Sequence, residues 1–354
     1  PVSGISKERI AKVDEMLERA IQSEQVPGLV AMIVKDGKVV YHSAKGFADV
    51  AEGKKMEKNS IFRIASQTKA ITSTAILLLY EEGKIRLDDP ISKYIPEFAN
   101  PQVLASFRYA DSSYTSKPSA QVITIRHLLT HTSGLGYGVI DGDERMKMIY
   151  HKAGVVDLFT TDEVTIGESV KRLAKLPLHH EPGTKYTYSE GLDVLGYLVE
   201  IVSGKPFDVF LKERIFDPLG MHDTRFYLNE AQGTRLVDVH TYQGGNWITY
   251  PTTFYDPDYP KTGAKSFFSG GAGLSSTTED YAKFLQMYLN GGTYNGQRLL
   301  SQLTIQTAMQ NQVGDLWNTD HYHGLAFGVV TAKGVAQGGQ GSAGTFDWGG
   351  YFNT

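Results

Sequence analysis

Apolar positions recur every three or four residues over 6–25, where Ile10, Val13, Leu17 and Ile21 fall on one side of a predicted amphipathic helix. Pro27-Gly28 stops it. The β-rich runs 29–35 and 38–43 then flank Asp36-Gly37, a strong hairpin signal. A second helical pattern covers 65–82 and ends at Gly83, with Ala70, Thr74, Leu77 and Leu78 placed to face a core. Further helices are predicted over 124–130, 165–176, 191–203, 206–214 and 277–290, the last stopped by Gly291-Gly292. Residues 251–260 read as a loop, and strands return at 326–332 and 344–348. Strands at both ends around a mostly helical middle predict an α/β layer carrying a helical insertion.

Length and composition narrow the class of protein. The 354 residues suffice for about two domain-sized units or one interrupted domain. The longest apolar runs, 28–34 and 75–80, fall far short of the roughly 20 residues a membrane span requires. Net charge is −4 and no basic block exceeds Lys54-Lys55, which argues against nucleic acid or an anionic membrane as partner. Cysteine is absent, which excludes disulfides, thiolate catalysis and cysteine-based zinc sites. No signal-peptide pattern is visible, although the chain begins at Pro1, and the reading leans towards a cytoplasmic location with the compartment left open.

The candidate chemistry sits at Ser66-Gln67-Thr68-Lys69. Residues three apart share a helix face, so the lysine can reach the serine hydroxyl. That hydroxyl is a weak nucleophile until a base takes its proton. An amine desolvated near a positive helix end favours its neutral form and can serve, while the backbone N–H groups of a helix start suit a developing oxyanion. On spacing alone the pattern fits a helix-capping serine and a solvated lysine better than a catalytic pair. His127 and His131 stand four apart without the glutamate of a zinc-protease motif, and a local hydrogen bond is their expected role. His179, His180, His321 and His323 are expected to be solvated in polar loops. Gln340-Gly341-Ser342-Ala343-Gly344 is out of register for a Gly-x-Ser-x-Gly elbow.

The flanks of the serine are more specific. Phe62-Arg63-Ile64-Ala65-Ser66-Gln67-Thr68-Lys69 resembles the active-site block of the β-lactamase-related serine hydrolases, a superfamily of class C β-lactamases, DD-peptidases, D-aminopeptidases and family VIII carboxylesterases. Four further blocks follow in order: Leu128-Leu129-Thr130-His131-Thr132-Ser133-Gly134-Leu135; Glu181-Pro182-Gly183-Thr184 with Tyr186-Thr187-Tyr188-Ser189; Pro218-Leu219-Gly220-Met221-His222-Asp223-Thr224; and Ser269-Gly270-Gly271-Ala272-Gly273-Leu274. The resemblance spans nearly the whole chain. It implies a β-lactamase/transpeptidase-like α/β fold: an antiparallel sheet flanked by helices, formed by 1–62 with 275–354, around a mostly helical domain at 63–274. It implies Ser66, Lys69 and Tyr188 as catalytic groups, and the backbone N–H groups of Ser66 and Tyr351 as the oxyanion hole. Trp348, Gly349 and Gly350 stand where the family's third motif touches substrate.

Two departures colour that expectation. Glu190 replaces the asparagine of Tyr-x-Asn, and Trp348-Gly349-Gly350 replaces Lys-Thr-Gly, the form seen in the family VIII esterases. A lysine at the latter place holds a substrate carboxylate through a charge-assisted hydrogen bond worth about 1.5–3 kcal/mol. Tryptophan cannot. The resemblance therefore implies a carboxylesterase for small neutral esters, without metal or cofactor, with Glu190 at the substrate. A DD-peptidase, D-aminopeptidase, β-lactamase or catalytically silent binder is the alternative. The family continues with further strands and a helix beyond the third motif, so a longer natural chain is expected; without those strands the Trp348 strand would be detached from the 29–43 hairpin.

Overall fold

The computed structural model describes residues 4–317, 320–339 and 341–354; Gln340 and the first three residues of the expected sheet domain lie outside these. Ser6 accepts a hydrogen bond from Arg9 N–H and starts the first helix, Lys7–Gln22. The hairpin follows as predicted, Gly28–Lys35 antiparallel to Lys38–Asp49. Its turn places Asp36 and Gly37 at φ of 50° and 70°, the left-handed pair that a two-residue hairpin loop requires.

The second helix begins as a 3₁₀ turn, Ala65–Gln67, and continues as Thr68–Glu81. Every residue from Thr68 to Leu79 is buried, so this is a core helix with no solvent face. It packs against Gly191–Ser203, which also packs on Ile125–Leu129 and Ile166–Leu173. One apolar cluster joins these helices to Phe284, Leu300 and Phe327. Leu195, at 0% exposure, lies within it. Leu195→Ala is expected to lower unfolding stability by roughly 2–5 kcal/mol, read from the urea midpoint at unchanged m-value.

The two ends of the 63–274 segment meet in an antiparallel pairing, Phe62 with Ser276 and Arg63 with Ser275. This pairing sets down the serine turn at the start of the segment beside the glycine-rich loop at its end. Every pairing between the strands of the described residues is antiparallel, and two isolated bridges, Ile61 with Leu236 and Val103 with Leu178, are parallel. The hairpin sheet gains Lys54–Lys55, while His321–His323, Gly328–Val330 and Phe346–Asp347 form a separate three-stranded sheet. Trp348 directly follows the last of these strands.

Several predicted elements need correction. The strand expected over 326–332 is shorter, and Thr331 caps a helix, Ala332–Ala336, by accepting from Gly334 N–H. The helix expected over 206–214 becomes Phe207–Leu211 followed by a π turn, Lys212–Phe216. The middle of the chain also holds two hairpins that its periodicity does not announce, Gln102–Arg108 with Ser113–Pro118 and His240–Gln243 with Asn246–Thr249. The first carries a register shift between Leu104 and Ser106 that breaks its period-two pattern.

Candidate active site

Ser66 sits on a strained turn. Ala65, immediately before it, is buried at φ 41°, a left-handed conformation that costs a non-glycine residue about 1–3 kcal/mol and persists only where the surroundings impose it. Here the clamp is Leu274: its carbonyl accepts from Ile64 N–H at 3.0 Å, and its N–H donates to Thr68 Oγ1 at 3.1 Å. The turn is thus held on both sides of the nucleophile.

Lys69 follows one helical turn later and is 2% exposed. Its Nζ lies 3.3 Å from Ser66 Oγ, 2.7 Å from Tyr137 Oη and 2.8 Å from the Gly271 carbonyl oxygen. Three oxygen atoms thus surround the Lys69 amine. Tyr188 Oη stands 2.7 Å from Ser66 Oγ, and Lys69 Nζ lies 4.6 Å from the Tyr188 ring centroid. The structure therefore brings together all three groups named from the sequence.

Asp193, Gly271 and Tyr137, to which sequence reasoning gave no catalytic role, complete the arrangement with His131, expected only to make a local hydrogen bond. Asp193, buried in helix Gly191–Ser203, accepts on one oxygen from Ser269 Oγ at 2.6 Å and Gly271 N–H at 2.9 Å. Those bonds orient the Gly271 peptide, whose carbonyl receives the Lys69 donor. Burial pushes the Asp193 carboxyl up, and the two hydrogen bonds oppose the shift. Tyr137 is buried, and burial raises its phenol well above the usual tyrosine range, so it remains a neutral partner of Lys69. His131, at φ 57°, lies with its ring centroid 4.6 Å from that of Tyr188 and accepts Ser189 N–H on Nδ1 at 3.2 Å. Burial, then His323 and Lys69, hold His131 well below its ordinary value and therefore neutral. The only advance signal was proximity in sequence: Tyr137 follows one family block, Asp193 stands four residues after another, and Gly271 lies within a third.

Losing one hydrogen bond to a charged group costs about 1.5–3 kcal/mol. Tyr137→Phe is accordingly expected to lower kcat/KM by about 10- to 100-fold on any ester the wild type turns over, because Lys69 loses its 2.7 Å acceptor. Steady-state kinetics of a variant with unchanged melting temperature would test this.

A cavity of 720 Å³ opens over Ser66, with Tyr188, Trp348, Gly349, Gly350 and Tyr351 in its wall. A Cβ on Gly350 would lie 2.5 Å from the Ile64 carbonyl oxygen, so glycine permits the third motif to rest on the serine turn. Tyr351 is 53% exposed at the rim.

Glu190 departs from expectation. It is 2% exposed, is not among the cavity-lining residues, and precedes helix Gly191–Ser203 with its N–H on the Gly136 carbonyl at 3.0 Å. Burial, with Asp157 and Asp193 nearby, pushes its carboxyl well above the usual range. A carboxylic acid at this depth is a structural neighbour of the Lys69 network rather than a substrate contact. The histidine expectations also change. His127 accepts Thr124 N–H in a capping box, as the local role implied, but His131 belongs to the site. His180 and His323 are buried, and His179 lies 2.9 Å from Asp141. His323 is held down to about 4 by burial and donates from Nδ1 to the Gly324 carbonyl at 2.6 Å. Among the described residues, no group of three or more His, Asp or Glu is placed to hold a metal ion, and no helix is long and apolar enough to cross a membrane.

The chain is similar to known proteins over most of its length. The family model described as Beta-lactamase matches residues 13–354. Esterase EstB of Burkholderia gladioli is 30% identical over 364 residues, covering 97% of this chain and 85% of the relative. Lovastatin esterase of Penicillium rubens is 31% identical over 320 residues, covering 89% and 76% respectively. Among solved structures, "EstCE1, a hydrolase with promiscuous acyltransferase activity" superimposes with a TM-score of 0.81 at 27% identity, covering 96% of this chain and 87% of that one.

Proposed function

This chain belongs to the Beta-lactamase family of serine hydrolases, and from that premise we propose that it is a carboxylesterase acting on small neutral esters through an acyl-enzyme on Ser66. The observation that carries the reading is the charge of the cavity over Ser66. Among its described lining residues there is no lysine or arginine, Trp348 stands at the third motif, and the Asp347 carboxylate sits beside it. A substrate bearing a free carboxylate would find no cation to pair with and a like charge at the rim. A neutral ester loses nothing there.

In the proposed reaction Ser66 Oγ attacks the ester carbonyl carbon while its proton passes to the Tyr188–Lys69 pair. The oxyanion forms against the backbone N–H groups of Ser66 and Tyr351. The carbon–oxygen bond to the alcohol breaks, and the pair returns the proton to the departing oxygen. Water then adds to the acyl-enzyme by the same route in reverse. Asp193 and Tyr137 hold Lys69 in place, and neutral His131 packs against Tyr188.

The test is a substrate panel at equal enzyme concentration: p-nitrophenyl butyrate, nitrocefin and a D-Ala-D-Ala peptide. The ester is expected to lead in kcat/KM by at least about tenfold, the lower end of what an absent charge-assisted bond costs. A lead for either carboxylate substrate would instead make the chain a β-lactamase or peptidase.

A further inference from the structure

The wall of the cavity is built from rings. Trp317 and Trp348 lie 6.2 Å apart by centroid, Trp317 stacks on Tyr186 at 5.2 Å and 19°, and Trp348 lies 6.2 Å from Tyr188. A second set gathers on other parts of the chain: Phe352 is 5.4 Å from Phe159 and 5.3 Å from Tyr351. Members of both sets line the cavity that contains Ser66, and among the described residues no ring contact links one set to the other. Aliphatic liners are few, with Ile140 and Leu158 the largest.

Such a wall discriminates by electronic character as well as by size. A ring against a ring gains offset-stacked or edge-to-face contacts with centroids 4.5–7 Å apart, beyond what a saturated group of equal area gains from burial. The position of Tyr188 says which part of the ester meets which wall. The group that returns a proton to the leaving oxygen must lie beside the alcohol, and the Tyr188 ring lies 6.2 Å from that of Trp348, while no ring contact among the described residues joins it to Phe159 or Phe352.

We propose that the preferred substrates are esters of arylmethyl alcohols, with the alcohol's aromatic ring seated on the Trp317–Trp348 wall and the acyl group directed towards Phe159 and Tyr351. This rests on the esterase reading and narrows its substrate class. Trp317 is a specificity residue in this scheme: it lies in the cavity wall, and its ring contacts are with Tyr186, His321, His323 and Trp348.

The experiment compares benzyl acetate, cyclohexylmethyl acetate and ethyl acetate by pH-stat. The first two differ in ring character at nearly equal size and leaving-group basicity, so the comparison separates stacking from apolar area. Benzyl over cyclohexylmethyl acetate is expected to favour the aromatic ester by about 3- to 10-fold in kcat/KM. Trp317→Leu should bring that ratio towards one, whereas Trp317→Phe should keep most of the preference. A ratio of one or below in the wild type, or a preference that survives Trp317→Leu, overturns the proposal while ethyl acetate turnover upholds the esterase reading. No hydrolysis of any of the three esters overturns both.

Discussion

Ser66→Ala is expected to abolish turnover of p-nitrophenyl esters, by roughly 10⁴-fold or more in kcat, and to eliminate covalent labelling by a fluorophosphonate probe. The expectation follows from what surrounds the two serines that resemble nucleophiles in sequence. Ser66 Oγ has a lysine amine at 3.3 Å and a phenol oxygen at 2.7 Å, and it opens onto the cavity. Ser133, in the Thr132-Ser133-Gly134 block, is 0% exposed and accepts Leu135 N–H within its own turn. Ser133→Ala should therefore retain labelling, and intact-protein mass after brief exposure to the probe reads both variants directly. Labelling that persists in Ser66→Ala would remove the acyl-enzyme from this serine.

The second large effect is expected at Tyr188→Phe. The substitution keeps the ring, and with it the packing on His131 and the cation–π contact to Lys69 at 4.6 Å, and deletes only the oxygen 2.7 Å from Ser66. A positioned proton-transfer group contributes about 10²–10⁴-fold, so kcat should fall by that order. The size of the loss depends on the leaving group. An alkyl alcohol must receive a proton as it departs, whereas p-nitrophenolate leaves without one, so ethyl esters should lose more than p-nitrophenyl esters. Equal losses on both would assign Tyr188 to deprotonating Ser66 alone. No loss on either would remove it from the reaction.

The same residue shows how far sequence reasoning reached. Ser66 and Lys69 are three positions apart on one helix, so their proximity is a local property that spacing predicts. Tyr188 is 122 residues from Ser66 and was placed only by the motif around it. Tyr137, Asp193 and Gly271 escaped notice because their roles are bonds to one another and to Lys69 across 68 to 202 residues, and no periodicity records such a bond. Glu190 was misread for a related reason. Its position in the motif suggested a substrate contact, whereas helix packing turns it into a buried cluster with Asp157 and Asp193. His131 and His323 looked like loop residues because polar neighbours in sequence are not neighbours in space.

By itself, the sequence determined the elements whose causes are local. These are the first helix, the hairpin that turns at Asp36-Gly37, the helix after Ser66, and the class of chemistry that a serine and a lysine one turn apart can perform. Only the tertiary structure decided what makes that pair a site. It strains Ala65 between the two Leu274 bonds, aims the Gly271 carbonyl through Asp193, keeps His131 neutral by burial, and lines the cavity with rings and, among the described residues, with no lysine or arginine. The physical reason is range: capping, turn geometry and helical spacing act within a few residues, whereas desolvation and hydrogen-bond closure depend on which distant segments exclude water together.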